Sequence, residues 1–125
     1  MQWQSLLWVG IGGFFGANAR YILSTWLNST SRAMPFGTAF VNITGSLLLA
    51  FFLTYISKRA NVPDSVSLLI GTGFLGAYTT FSTYANESMR LINDGQWLTG
   101  VGYIVGTNLL CLLGVMIGIA LAQRF

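Results

Sequence analysis

Hydroxyl and aromatic side chains are concentrated in one stretch of an otherwise apolar chain, LGAYTTFSTYANES at residues 75–88. Within it, Ser82 and Thr83 lie between two aromatic residues, Phe81 and Tyr84. Hydroxyls donate hydrogen bonds, and the edge of an aromatic ring is the positive part of its quadrupole. This combination of residue types favours the binding of an anion over the binding of a cation.

The same stretch is expected to interrupt a helix. Gly71, Gly73 and Gly76 precede the adjacent pair Thr79 and Thr80, and glycine and β-branched residues are poor helix formers. We therefore predict a break between residues 76 and 81. The helix before a break ends in free carbonyl groups, which suit a cation. The helix after it begins with free N–H groups, which suit an anion.

Further polar side chains lie within other apolar segments. Asn42 occurs in VNITGS, and Tyr103 and Thr107 are four residues apart on one face of the last apolar segment, followed by Cys111. Polar groups inside a membrane need a hydrogen-bonding partner or water. Two interpretations stay open for Asn42, which could line an aqueous path or bond one helix to another. Thr107 could bond to its own backbone.

The composition indicates that membrane-spanning helices carry these side chains. Of the 125 residues, 54% are hydrophobic and 7% are charged, whereas soluble domains average about 25% charged residues. The charged residues leave four charge-free windows, each close to the length of about 20 residues that spans a bilayer. The sequence therefore predicts an all-α membrane protein with four transmembrane helices, at about residues 4–26, 36–58, 65–92 and 96–123.

Several other classes of protein are disfavoured. One Cys and no His exclude an intrachain disulfide and a Cys/His metal site, and a scattered net charge of +3 does not indicate nucleic-acid binding. Ala17-Asn18-Ala19 has the small residues of a signal-peptidase site, but no Lys or Arg precedes it. Glu87 is the one acid within a predicted helix interior, and it is expected near a helix end. A cation-coupled exporter generally needs a membrane carboxylate, so an anion is the favoured permeant ion.

The charges give almost no preference for one orientation in the membrane. Three cations fall at each predicted surface, Lys58, Arg59 and Arg124 at one, and Arg20, Arg32 and Arg90 at the other. The positive-inside rule therefore cannot orient the chain. Either another feature sets the orientation, or protomers insert both ways and pair antiparallel. Four helices of this size are few to enclose a pore, which favours a dimer.

Three segments resemble the small fluoride channels of the Fluc or CrcB family, in that family's order and spacing. They are GGFFGANARY at residues 12–21, GTAFVNITGS at 37–46 and GTGFLGAYTTFSTYANE at 71–87. The resemblance implies an antiparallel dual-topology homodimer in the lipid bilayer of a bacterial inner (plasma) membrane. Each dimer would hold two pores that export fluoride passively from the cytoplasm, with no nucleic-acid partner.

The resemblance also implies residue roles. Asn42 would hydrogen-bond fluoride, and Arg20 would lie near an aqueous vestibule. The remaining pore positions would be Phe81 and Tyr84 of the family's phenylalanine box, the hydroxyls of Ser82 and Thr83, and Tyr103 and Thr107 on the last helix. The carbonyls of Gly76 and Thr79 would bind a structural Na+ at the dimer axis. Two positions depart from the family pattern: Tyr84 stands where phenylalanine is usual, and Cys111 stands where a small residue such as serine is expected.

The sequence leaves two alternatives to a fluoride channel. A small multidrug exporter shares the size, the four helices and the dual topology, but it needs a central glutamate in its first helix, and residues 4–26 contain none. A membrane assembly subunit without transport activity would use the donors of residues 75–88 for packing alone.

Overall fold

The computed structural model describes residues 2–30 and 33–125. Arg32, one of the predicted loop cations, lies outside the described residues. Helices α1 (Trp3–Ser29), α2 (Phe36–Ser57), α4 (Phe81–Asn93) and α5 (Trp97–Ala122) are α-helical. Residues 64–78 form α3, in which α-helical turns at Asp64–Val66 and Gly76–Tyr78 flank a π-helix at Ser67–Leu75. The described residues contain helices and no strand, so the predicted all-α class is confirmed.

Three helices, α1, α2 and α5, are long and apolar enough to cross a membrane. The predicted third crossing, residues 65–92, consists of two pieces, α3 and α4, separated by extended backbone at Thr79 and Thr80. This break lies inside the interval that the glycine and threonine content predicted. Lys58 Nζ donates a hydrogen bond to the Ala122 carbonyl at 3.1 Å, which places the end of α2 beside the end of α5.

Glycines determine how closely the helices approach. A side chain at Gly12 of α1 would overlap the Leu69 carbonyl oxygen of α3, and one at Gly118 of α5 would overlap the Leu47 carbonyl oxygen of α2. Gly102 and Gly106 of α5 make no close contact within the protomer, because no atom lies within 4 Å of a Cβ built at either position. These two glycines line an apolar cavity instead.

The π-helix of α3 was not predicted. π-helical winding is rare and occurs mostly as single turns inside α-helices, often at functional sites. Here it spans nine residues and contains Gly71 and Gly73, both buried. A Cβ at Gly73 would lie 3.0 Å from the Cα of Gly12. The wide π-helical turns therefore lie where α1 and α3 approach each other closely.

The ends of the last two crossings follow ordinary turn chemistry. Gly95, at the turn between α4 and α5, has a φ of +80°, which glycine adopts without strain. Pro63 occupies the N-cap position of α3, and Asp64 is the first helical residue, without a side-chain cap hydrogen bond. Its carboxylate still lies in the first turn, where the helix dipole favours negative charge.

Candidate ion pathway

Asn42 joins α2 to the break between α3 and α4. Its Nδ2 donates to the Thr80 carbonyl at 2.9 Å, and its Oδ1 accepts from the Thr80 N–H at 2.7 Å. Asn42 is only 9% exposed. The pair satisfies both backbone polar groups of Thr80, which would otherwise carry a desolvation cost. The interhelical bond that the sequence left as one interpretation is therefore present, and it uses one of the two amide hydrogens of Asn42.

Thr80 also caps α4. Its Oγ1 accepts a hydrogen bond from the Thr83 N–H at 3.3 Å and lies 3.1 Å from the Thr83 hydroxyl. The Ser82 hydroxyl is 3.4 Å away from the same oxygen. Three hydroxyls therefore converge at the start of α4. Sequence analysis did not assign Thr80 a role, although threonine three residues before a first-turn N–H is a frequent N-cap arrangement.

The break redirects two N–H groups away from the carbonyls of Gly76 and Thr79. In a continuous helix, Thr80 N–H would bond to the Gly76 carbonyl and Thr83 N–H to the Thr79 carbonyl. Instead, Thr80 N–H donates to Asn42 and Thr83 N–H donates to the Thr80 hydroxyl. Gly76 is exposed and Thr79 partly exposed on the protomer surface. Neither carbonyl oxygen therefore has the N–H partner that a continuous helix would supply.

The two aromatic residues of this stretch lie in different environments. Phe81 is 76% exposed, whereas Tyr84 is 6% exposed, and their ring centroids are 5.7 Å apart. The Tyr84 ring also contacts the Tyr103 ring, with centroids 5.4 Å apart. Tyr84 therefore packs inward between α4 and α5, and Phe81 projects from the protomer.

A second polar cluster was not predicted. Thr38 Oγ1 donates to Glu87 Oε1 at 2.9 Å, and Tyr103 Oη donates to Glu87 Oε2 at 3.0 Å. Thr38 and Tyr103 are almost fully buried. Sequence analysis expected Glu87 near a helix end, but it lies at the middle of α4. The sequence spacing could have indicated this cluster. Thr38 is four residues before Asn42 and Glu87 is three residues after Tyr84, so each shares a helix face with a predicted site residue.

Two cavities contain residues of these clusters. One has a volume of about 260 Å³ and is lined by Asn42, Thr80, Phe81, Tyr84, Thr107 and Cys111, among others. The other has a volume of about 410 Å³ and is lined by Glu87, Arg90, Asp94 and other residues near the α4–α5 turn. Tyr84 lines the first cavity, and its ring contacts that of Tyr103, whose hydroxyl donates to Glu87 of the second cavity. The buried pair Tyr84 and Tyr103 therefore connects a residue of one cavity to a residue of the other.

Comparison with known proteins identifies the family. The family model described as CrcB-like protein, Camphor Resistance (CrcB), matches residues 7–119. The chain belongs to the CrcB family. A protein named fluoride-specific ion channel FluC from Koribacter versatilis is 45% identical over 117 residues, 93% of each chain. Proteins of the same name from Hydrogenobaculum sp. and Chloroflexus aurantiacus are 42% and 38% identical, the latter over 98% of each chain.

Arg20 of this CrcB protein is a partly buried residue of α1. It lines neither of the two polar cavities described above. Its Nε is buried without a hydrogen-bonding partner among the described residues. Cys111, to which the sequence gave no role, lines the same cavity as Asn42 and Phe81.

Proposed function

We propose that this CrcB protein is a fluoride-selective passive channel. The observation that carries the proposal is the similarity, over 93% of the chain, to a protein named fluoride-specific ion channel, combined with hydrogen-bond donors that line one cavity or bond to Glu87 of the second. A passive channel makes and breaks no covalent bond, so the residues need only solvate and release the ion.

Selectivity would follow from replacing the water shell of fluoride. Fluoride is small and strongly hydrated, so a path must offer close donors at several successive sites, none of them too strong for exit. The first cavity offers the second amide hydrogen of Asn42 and the hydroxyl of Thr107. Phe81 adds a ring edge to the same cavity. Tyr103, whose ring contacts that of Tyr84, donates to Glu87 of the second cavity. A larger anion such as chloride would fit this narrow set poorly.

An antiparallel homodimer is supported by the surface of α3 and α4. Thr72, Gly76, Ser82, Thr83 and Asn86 are exposed along these helices. Polar groups facing lipid are costly, so this surface needs a cover. A second copy in the opposite orientation would supply it, in agreement with the even distribution of cations between the two ends. Phe81, exposed in one protomer, would then reach the partner, and each dimer would contain two pathways.

A structural Na+ at the dimer axis fits the donor chemistry of the break. The carbonyls of Gly76 and Thr79 would hold it, and carbonyl oxygens are suitable ligands for a hard cation. A second copy would double the number of oxygens to about four, in keeping with the way discontinuous membrane helices coordinate Na+. The ion would neutralise the partial negative charge of the converging helix ends. The proposed location of the dimer is a bacterial inner membrane, which it crosses several times.

Efflux from proteoliposomes tests the function. Vesicles loaded with potassium fluoride and containing the purified protein should release fluoride to an ion-selective electrode once valinomycin supplies a potassium path. Vesicles loaded with potassium chloride should release little chloride. Equal release of both anions would refute selectivity, and no release of either would refute the channel. Phe81→Ile should lower fluoride release, whereas Leu112→Ala, at an exposed apolar position of α5, should not.

The exporter alternative receives no support from the structure. Residues 3–29 of α1 contain no Asp or Glu, and Glu87 already accepts hydrogen bonds from two hydroxyls. Transport of ethidium driven by a proton gradient would reverse this conclusion.

A further inference from the structure

The hydroxyl of Tyr84 is enclosed in a hydrogen-bonded group on α5. It donates to the Ile104 carbonyl at 3.2 Å and accepts from Asn108 Nδ2 at 2.6 Å. The amide nitrogen of Asn108 also donates to the Ile104 carbonyl at 2.7 Å. Both hydrogens of the amide nitrogen are therefore used, one on the tyrosine and one on the helix backbone.

These bonds determine whether the ring or the hydroxyl of Tyr84 can interact with an ion in the cavity that Tyr84 lines. A phenol has one proton to donate, and that proton is directed at the Ile104 carbonyl. A permeating anion therefore meets the ring of Tyr84 and not its hydroxyl donor. The two bonds also hold the ring at its far end, while the Phe81 and Tyr103 rings contact its sides.

We infer that Asn108 is a positioning residue for the ion pathway, because it holds the Tyr84 ring in one orientation and prevents the hydroxyl from acting as a ligand. Asn108 and Tyr84 act as one unit. Both line the cavity of about 260 Å³ that also contains Asn42. With the unit intact, position 84 presents an aromatic edge, as a phenylalanine would. This inference rests on the proposed fluoride channel, since it assigns a role in that pathway.

The unit makes a specific prediction for substitutions. Tyr84→Phe would remove the hydroxyl and leave one amide hydrogen of Asn108 without its partner beside the cavity. A free donor at that point would bind a passing anion too strongly or draw in water. Asn108→Leu would leave the Tyr84 ring held by one bond and free to turn its hydroxyl. In the double variant Tyr84→Phe/Asn108→Leu, neither defect remains.

A double-mutant cycle on fluoride efflux tests the coupling. Each single variant should slow efflux by roughly threefold to tenfold, as is usual for partners in one hydrogen-bond network. The efflux rate of the double variant should exceed the rate expected if the two single slowdowns simply multiplied. Leu109→Ala, at the next and exposed position of α5, serves as the control and should match the wild type. Effects that simply multiply in the double variant, or an Asn108→Leu variant with wild-type efflux, would overturn the inference.

A second readout follows the ring and does not depend on transport. 3-Fluorotyrosine placed at position 84 alone should give separate ¹⁹F NMR signals for its ring orientations in fluoride-free buffer. In Asn108→Leu these signals should broaden or merge. A spectrum unchanged by Asn108→Leu would show that Asn108 does not hold the ring. If the wild type released no fluoride, the proposed function would fail, while this spectrum would still report on the Tyr84–Asn108 unit.

Discussion

Asn42 and Thr80 exchange two hydrogen bonds, so that one side chain of α2 replaces the helical partners of an unwound residue between α3 and α4. The break is therefore not a defect tolerated by the surrounding helices. It is a fixed part of the structure, since both polar backbone groups of Thr80 have a partner at hydrogen-bonding distance. The same amide keeps one donor for the cavity.

Asn42→Asp should strongly reduce fluoride efflux. The carboxylate would place a negative charge on the path and would face the Thr80 carbonyl without a donor. Leaving a buried group without its partner costs about 1–3 kcal/mol, so thermal stability should fall as well. Efflux from liposomes and thermal unfolding in detergent measure the two effects. Undiminished efflux from an intact dimer would remove Asn42 from the pathway.

Glu87→Ala should slow efflux by at least roughly tenfold, which corresponds to about 1.4 kcal/mol in the barrier. The Thr38 and Tyr103 hydroxyls would lose the acceptor that now orients them, and the second cavity would lose the Glu87 carboxylate. Met89→Ala, at an exposed position of the same helix, is the matched control. If both variants conducted equally well, the cluster of Thr38, Glu87 and Tyr103 would have only a packing role.

Modification of Cys111 should block efflux. The thiol lines the cavity that contains Asn42, and it belongs to the only cysteine of the chain, so a thiol reagent has one target. A small methanethiosulfonate reagent should lower fluoride efflux of the wild type and leave Cys111→Ser unaffected. Mass spectrometry measures the extent of labelling. Complete labelling with unchanged efflux would place this cavity off the pathway.

Gly12→Ala should destabilise the protein, because the new methyl group would overlap the backbone of α3 at Leu69. Overpacking of this kind typically costs about 1–3 kcal/mol. Gly10→Ala lies two residues away in the same helix, with no atom within 4 Å of the added group, and should be close to neutral. Thermal unfolding of the two variants in the same detergent gives the comparison. Equal stability would mean that α1 and α3 separate more easily than their packing indicates.

Local features of the fold could be predicted from the sequence. The break could be predicted from Gly76, Thr79 and Thr80, because glycine and threonine have poor helix propensities in any surroundings. The π-helix could not be predicted, since it depends on how closely α1 approaches Gly73 and α2 approaches Gly71.

The polar clusters of the site were harder to predict than the break. The hydrogen bonds of Glu87 join residues of three helices, so they depend on the rotation of each helix about its axis. Spacing along one helix fixes a shared face but not the residue opposite it. For the same reason, Asn108 gave no signal, although its partner Tyr84 was identified as unusual.

Because α3 contains a π-helix, the geometry of the site depends on the number of residues in α3. Its i→i+5 bonding takes more residues per turn than α-helical winding does, so the direction of every residue after Leu75 depends on how many residues precede it between Ser67 and Leu75. Removing one residue there would return a wide turn to α-helical winding and rotate Gly76 and Thr79 relative to α2. Relatives of this chain can therefore be expected to keep the number of residues in this segment.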